Sequence, residues 1–252
     1  MRGLFLQDVK RSFTNIGFWM GLLTLSALFL TAVITGAPLN QTRSTYFIMA
    51  SAFATSGFTP FAAIFPVLAY SSRFCEEYQS GYYRMIFSRI KPEKFGIVRI
   101  CSVALSGGII IALPIFLVCV AALQFGIPGL PQGSDTGFWN NTRMLYYISE
   151  YGDWYIAGGK VLLGFVFGCI WSLVGLAFAV WISNRYVALI APFVLYESMW
   201  LGLSKLPFIN PIMLLRGDDL NNYPLSLLME CIELLVVVVI VQVGIRRRFQ
   251  NG

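Results

Sequence analysis

Three glutamates stand inside long apolar runs: Glu197, Glu230 and Glu233. An acid with no aqueous surroundings is costly to hold, so such a residue is a functional candidate by default. Glu230 and Glu233 are three apart and share one face of a helix. They could pair with Lys160 or Lys205, attract a cationic group, or relay protons. The chain has no histidine. Imidazole general-base catalysis and His-based metal sites are therefore excluded. Its five cysteines include no Cys-x-x-Cys pair, so neither zinc nor a redox motif is signalled; Cys101, Cys119, Cys169 and Cys231 lie in apolar blocks and read as packing residues. No GxxxxGK[ST] segment is present, so this chain does not itself bind nucleotide phosphates in that way. Two glutamates without a partner acid, base or metal make a poor catalytic site. The reading is a non-enzyme with no cofactor or metal of its own.

The elements that carry these residues are apolar blocks. Hydrophobic residues make up 57% of the 252, and only 12% are charged, about half the share usual for a soluble domain. About 20 apolar residues cross a bilayer. Six blocks qualify, at about 17–35, 46–70, 100–123, 156–182, 187–203 and 225–245. The expected fold is an all-α integral membrane protein, one transmembrane domain over 1–252. Of the 18 Lys and Arg residues, 13 fall at the two termini, in the 71–99 segment and at the 183–186 turn. The positive-inside rule then puts both termini in the cytoplasm. The net charge of +6 thus reflects topology, and no nucleic-acid partner is expected. Pro60, Pro66, Pro114 and Pro192 fall within blocks and mark expected kinks. No cleavable leader is evident, and the first block reads as a retained anchor.

Three flanking segments add detail. Arg2 to Ile16 is amphipathic, with Phe5, Val9, Phe13 and Ile16 on one face, and suits a helix lying in the inner headgroup layer. Gln124 to Tyr155 is an outer segment rich in aromatics. The stretch from Pro207 to Leu215 is too short to span and suits a re-entrant outer hairpin between the fifth and sixth spans. Gly164, Gly168 and Gly175, with Ser172 and Ala179, form a small-residue face on the fourth span. Packing within one subunit is one use of such a face, and a dimer seam is another.

The 71–99 segment is the most informative. Glu76 and Glu77 precede an amphipathic run in which Tyr78, Tyr82, Met85, Ile86 and Arg89 recur at helical spacing. The acids suit the positive end of a helix dipole, and Pro92 marks the stop. A helix over about 76–90 with an aromatic stripe is placed to dock in a partner's groove. Glu-x-x-x-Gly from Glu77 to Gly81, followed by Ile86, Phe87, Ser88 and Arg89, between the second and third spans, resembles type-2 ATP-binding-cassette exporter permeases. The resemblance extends to the whole layout: amphipathic first helix, six spans, and an outer re-entrant segment. The pair Tyr82-Tyr83 departs from the threonine-leucine common there. The resemblance implies that this elbow is the coupling helix and that Glu76, Glu77, Tyr78, Gly81, Tyr82, Met85, Ile86 and Arg89 meet a separate ATPase dimer carrying ATP and Mg. It further implies a second permease subunit, expected to be identical, and a bacterial plasma-membrane location. General likeness extends to the peptide-exporting subset, such as phenol-soluble-modulin and lantibiotic-immunity exporters. The expected cargo is an amphipathic or cationic peptide or a lipophilic small molecule, and Glu197, Glu230 and Glu233 are candidates for its path. An ion-coupled carrier using the buried glutamates and an intramembrane enzyme are the competing readings.

Overall fold

Residues 2–35, 43–81, 92–129, 142–217 and 222–250 are described by a computed structural model. They are almost wholly helical, and no strand occurs among them; the single β-bridge joins Ser44 to Ile127. Eleven α-helices are described: α1 (Arg2–Thr14), α2 (Ile16–Thr35), α3 (Thr45–Thr55), α4 (Ile64–Tyr70), α5 (Arg73–Gln79), α6 (Pro92–Phe125), α7 (Thr142–Tyr151), α8 (Asp153–Ile182), α9 (Arg185–Gly202), α10 (Pro211–Arg216) and α11 (Tyr223–Gln250).

Four of these, α2, α6, α8 and α11, are long and apolar enough to cross a membrane, and α3 with the 59–79 segment makes a fifth if the bent pair counts as one. This arrangement is compatible with a multi-pass membrane protein. The 18-residue α9, which carries Arg185 and Glu197, is not among them.

The core helix is α8, 72% of whose apolar window is buried; the figure for α11 is 17%. Small residues explain how closely α8 is approached. A Cβ on Gly164 would run into Ile115, and one on Gly168 into the Gly107 carbonyl and Gly108 of α6. A Cβ on Gly175 would press on Val67 of α4 and on Ser71. The small-residue face is thus filled from within the chain. The Ser71 hydroxyl donates to the Ser172 carbonyl at 2.8 Å, and the Cys169 thiol to the Ala104 carbonyl at 3.2 Å.

The expected 46–70 span is broken. It bends by 62° between Thr55 and Thr59. Gly57 sits there at φ 63°, a backbone region that favours glycine. Fully buried Phe58 fills the inside of the bend, its ring 5.5 Å from Phe29 and 6.2 Å from Phe65. Prolines do not mark this site as simply as expected. Pro60 opens the short turn after the bend, whereas Pro114 and Pro192 lie within α6 and α9, which continue through them as helix.

Candidate functional site

The first turns of the elbow lie in α5, and they are clasped from all sides. Arg99 of α6 is 1% exposed. Its guanidinium pairs with Asp8 of α1 at 3.2 Å and also bonds Glu77 of α5. The Tyr70 hydroxyl donates to Asp8 at 3.0 Å. The Tyr70 and Phe95 rings flank the guanidinium at 4.9 and 5.5 Å. One buried cation thus ties three chain segments together, and two aromatic faces replace its lost water.

Glu76 is held differently. It bridges Arg73 at 2.9 Å and Arg185, the first residue of α9, at 2.8 Å. Both arginines are well exposed, so these pairs are weak. Tyr78 receives the Arg248 guanidinium over its ring at 4.3 Å, and Arg248 also donates to the Val180 carbonyl. Arg246 pairs with Glu93 at 2.9 Å. The basic residues grouped by the sequence therefore converge on one end of the bundle.

One expectation about the elbow changes. The helix does not run unbroken from 76 to 90. It ends at Gln79, and Gly81 takes φ 70°, its N–H donating to the Tyr78 carbonyl at 3.2 Å. Only a residue tolerant of positive φ closes a helix in this way. Glu76 lies in the first turn of α5, as expected for an acid at the positive end of a helix dipole, and both it and Glu77 are engaged within the chain. Tyr82, Met85, Ile86 and Arg89 lie outside the described residues.

Asp8 and Arg99 were not singled out from the sequence as site residues. The α1 pattern put Phe5, Val9, Phe13 and Ile16 on its apolar face. In the fold Asp8 and Ser12 are buried, while Ile16 is 74% exposed. The available signal was a lone acid in a basic helix and an arginine against the start of the third span.

The clasp connects to the opposite end through the 59–79 segment. Just past the bend, the Thr59 carbonyl accepts from the Tyr196 hydroxyl of α9 at 2.5 Å, and its side-chain oxygen accepts from Arg216 of α10 at 3.4 Å. Phe61 stacks on Phe193 of α9 at 6.3 Å. Asn210 caps α10 through the Ile212 N–H and also donates to the Trp200 carbonyl, which folds α10 back against α9. Buried Lys160 of α8 donates to the Arg216 carbonyl at 3.3 Å, at the negative end of α10.

The candidate glutamates are separated. Glu197 is half-buried on α9, with Oε1 sealed and unbonded. Glu230 is 1% exposed, and neither of its oxygens has a hydrogen-bond partner. Among the described residues its carboxyl forms no ion pair, with Lys160 or Lys205 or any other cation. Glu233 is half-buried on the same helix. Beside α8 lie two open apolar grooves: one of about 510 Å³ against α6, lined by Phe116, Leu123 and Phe165, and one of about 370 Å³ against α11, lined by Tyr155, Tyr223 and Leu227. Trp154, Gly158 and Leu162 border both. Among the described residues no group of His, Cys, Asp or Glu is arranged to hold a metal ion.

No family model, curated protein or solved structure matches this chain.

Proposed function

We propose that the chain is the membrane-embedded permease subunit of an ATP-driven exporter, powered by a separate ATPase dimer that pushes on the elbow at 76–90. One observation carries this reading: the first turns of the elbow are tied to four other helices. Glu77 reaches α6 and, through Arg99, α1; Glu76 reaches α9; Tyr78 reaches α11. A load applied there is shared by the whole bundle, whereas an ordinary loop would absorb it. The 59–79 segment then acts as a lever. Its far end touches Tyr196, Arg216 and Phe193, so a push at one face is felt in the α9–α10 hairpin at the other.

In this reading the chain crosses the plasma membrane of a bacterium six times, with α9 as the fifth crossing and α10 as the re-entrant outer segment. Both termini are cytoplasmic, α1 lies in the inner interface, and a second permease subunit completes the path. The large open apolar grooves beside α8 suit amphipathic or cationic peptides and lipophilic molecules as cargo. Because the chain has no phosphate-binding loop, the motor must be another subunit.

The test is purification of the full chain from its native membrane in mild detergent. A stoichiometric ATPase is expected to accompany it, and the double variant Tyr82→Ala with Ile86→Ala is expected to lose that subunit while keeping the wild-type melting temperature. An intact transporting protein with no ATPase attached would overturn the reading.

A further inference from the structure

Glu230 lies on the buried stripe of α11 that runs through Tyr223, Ser226, Val241 and Ile245, all with exposures between 0% and 3%. The helix packs chiefly on α8, and at 1% exposure the Glu230 side chain is enclosed between the helices. Both carboxyl oxygens are sealed from solvent and unbonded, as is the hydroxyl of Ser226, one turn earlier on the same face. Three buried polar atoms on one face thus lack partners. The charged group that acts on Glu230 is Glu233, on its own helix. From α8 the facing titratable group is the Cys169 thiol, which is already donating to the Ala104 carbonyl of α6. Among the described residues no cation pairs with the Glu230 carboxyl.

An ionised carboxylate left alone in such a place costs several kcal/mol or more, and a like charge on Glu233 adds to the cost. Three oxygens are too few to replace the hydration shell of a metal cation, which takes about six or more. A proton needs one oxygen to hold it and one acceptor for the resulting O–H, and Ser226 lies one turn away on the same face. We infer that Glu230 and Ser226 form a proton-binding site inside the bundle, occupied at neutral pH and exchangeable with solvent. This inference does not rest on the exporter reading, and it holds whichever energy source drives the protein.

The test is infrared spectroscopy of the full chain reconstituted in liposomes at pH 7, as the difference between wild type and Glu230→Gln, repeated in D₂O. The expected result is loss of a protonated-carboxyl carbonyl band in Glu230→Gln, its persistence in Glu233→Gln, and its downshift in wild type after transfer to D₂O. If Glu230→Gln removes only an ionised-carboxylate band, the site is empty of its proton and the inference fails. A protonated band that never shifts in D₂O marks a sealed structural acid and overturns it equally. Because the readout needs neither cargo nor ATPase, its failure is distinguishable from failure of the exporter reading.

Discussion

Replacing Arg99 with Met keeps much of the side-chain length and removes the charge. The Arg99 side chain is 2% exposed, and its two carboxylate partners are 11% and 18% exposed. The substitution therefore leaves Asp8 and Glu77 close together in a poorly hydrated site with no cation between them. Removing one partner of a buried ion pair costs about 3–5 kcal/mol, mostly from the charge left behind. For a chain of this size that lowers the melting temperature by on the order of 10 °C. The triple variant Asp8→Asn, Glu77→Gln, Arg99→Met removes all three charges, and neutral replacement of a buried ionic group is often nearly free. It is expected to recover most of the loss. The three substitutions should thus be strongly non-additive. Thermal unfolding of the detergent-solubilised chain, followed by tryptophan fluorescence, reads wild type, the single variant and the triple variant. If Arg99→Met melts with wild type, or if the triple variant is no more stable than the single one, the clasp is not a buried charge-compensated unit and the reasoning fails.

The two acids of the elbow should behave unequally. Glu76→Gln breaks pairs with exposed Arg73 and Arg185, so its effect on the same melting curve is expected to stay below about 1 kcal/mol and to vanish in high salt. The glycines of α8 give a second contrast. Gly168→Val forces side-chain atoms onto the Gly107 carbonyl of α6 and should cost at least about 1–3 kcal/mol, seen as loss of folded yield. A Cβ on Gly158 meets nothing within 4 Å; Gly158→Ala should be neutral or stabilising by up to about 1 kcal/mol in the same assay.

Much of the helical layout was legible in the sequence, because the length and apolarity of a block are local properties. The blocks at 17–35, 100–123, 156–182 and 225–245 lie within α2, α6, α8 and α11. A kink in the 46–70 block was legible from Pro60, which lies just past the break; its 62° size was not, since Phe58 is drawn among Phe29, Phe53 and Phe65 from separate helices. Gly81 was part of the motif and does stop a helix, although the spacing of Tyr78, Tyr82 and Ile86 suggested a helix running through it. The clasp was hidden for another reason. Asp8, Glu77 and Arg99 are far apart in sequence, and periodicity reports the face a residue occupies without reporting the charge it will meet. In α1 the apolar stripe drew attention away from Asp8, which docks against Arg99. Glu230 was visible as an acid in an apolar run, but its position four residues after Ser226 became meaningful only once both were found buried and unbonded.

The position of residue 86 and what it touches bear most directly on the elbow as the point where force enters. A photo-crosslinking amino acid placed at Ile86 of the full chain, activated in living cells and followed by mass spectrometry, reads both. The expected product is a covalent adduct to a cytosolic ATP-binding subunit, lost when Tyr82 is changed to Ala. Adducts to lipid alone, or labelling of the same position by an impermeant reagent from outside the cell, would contradict it.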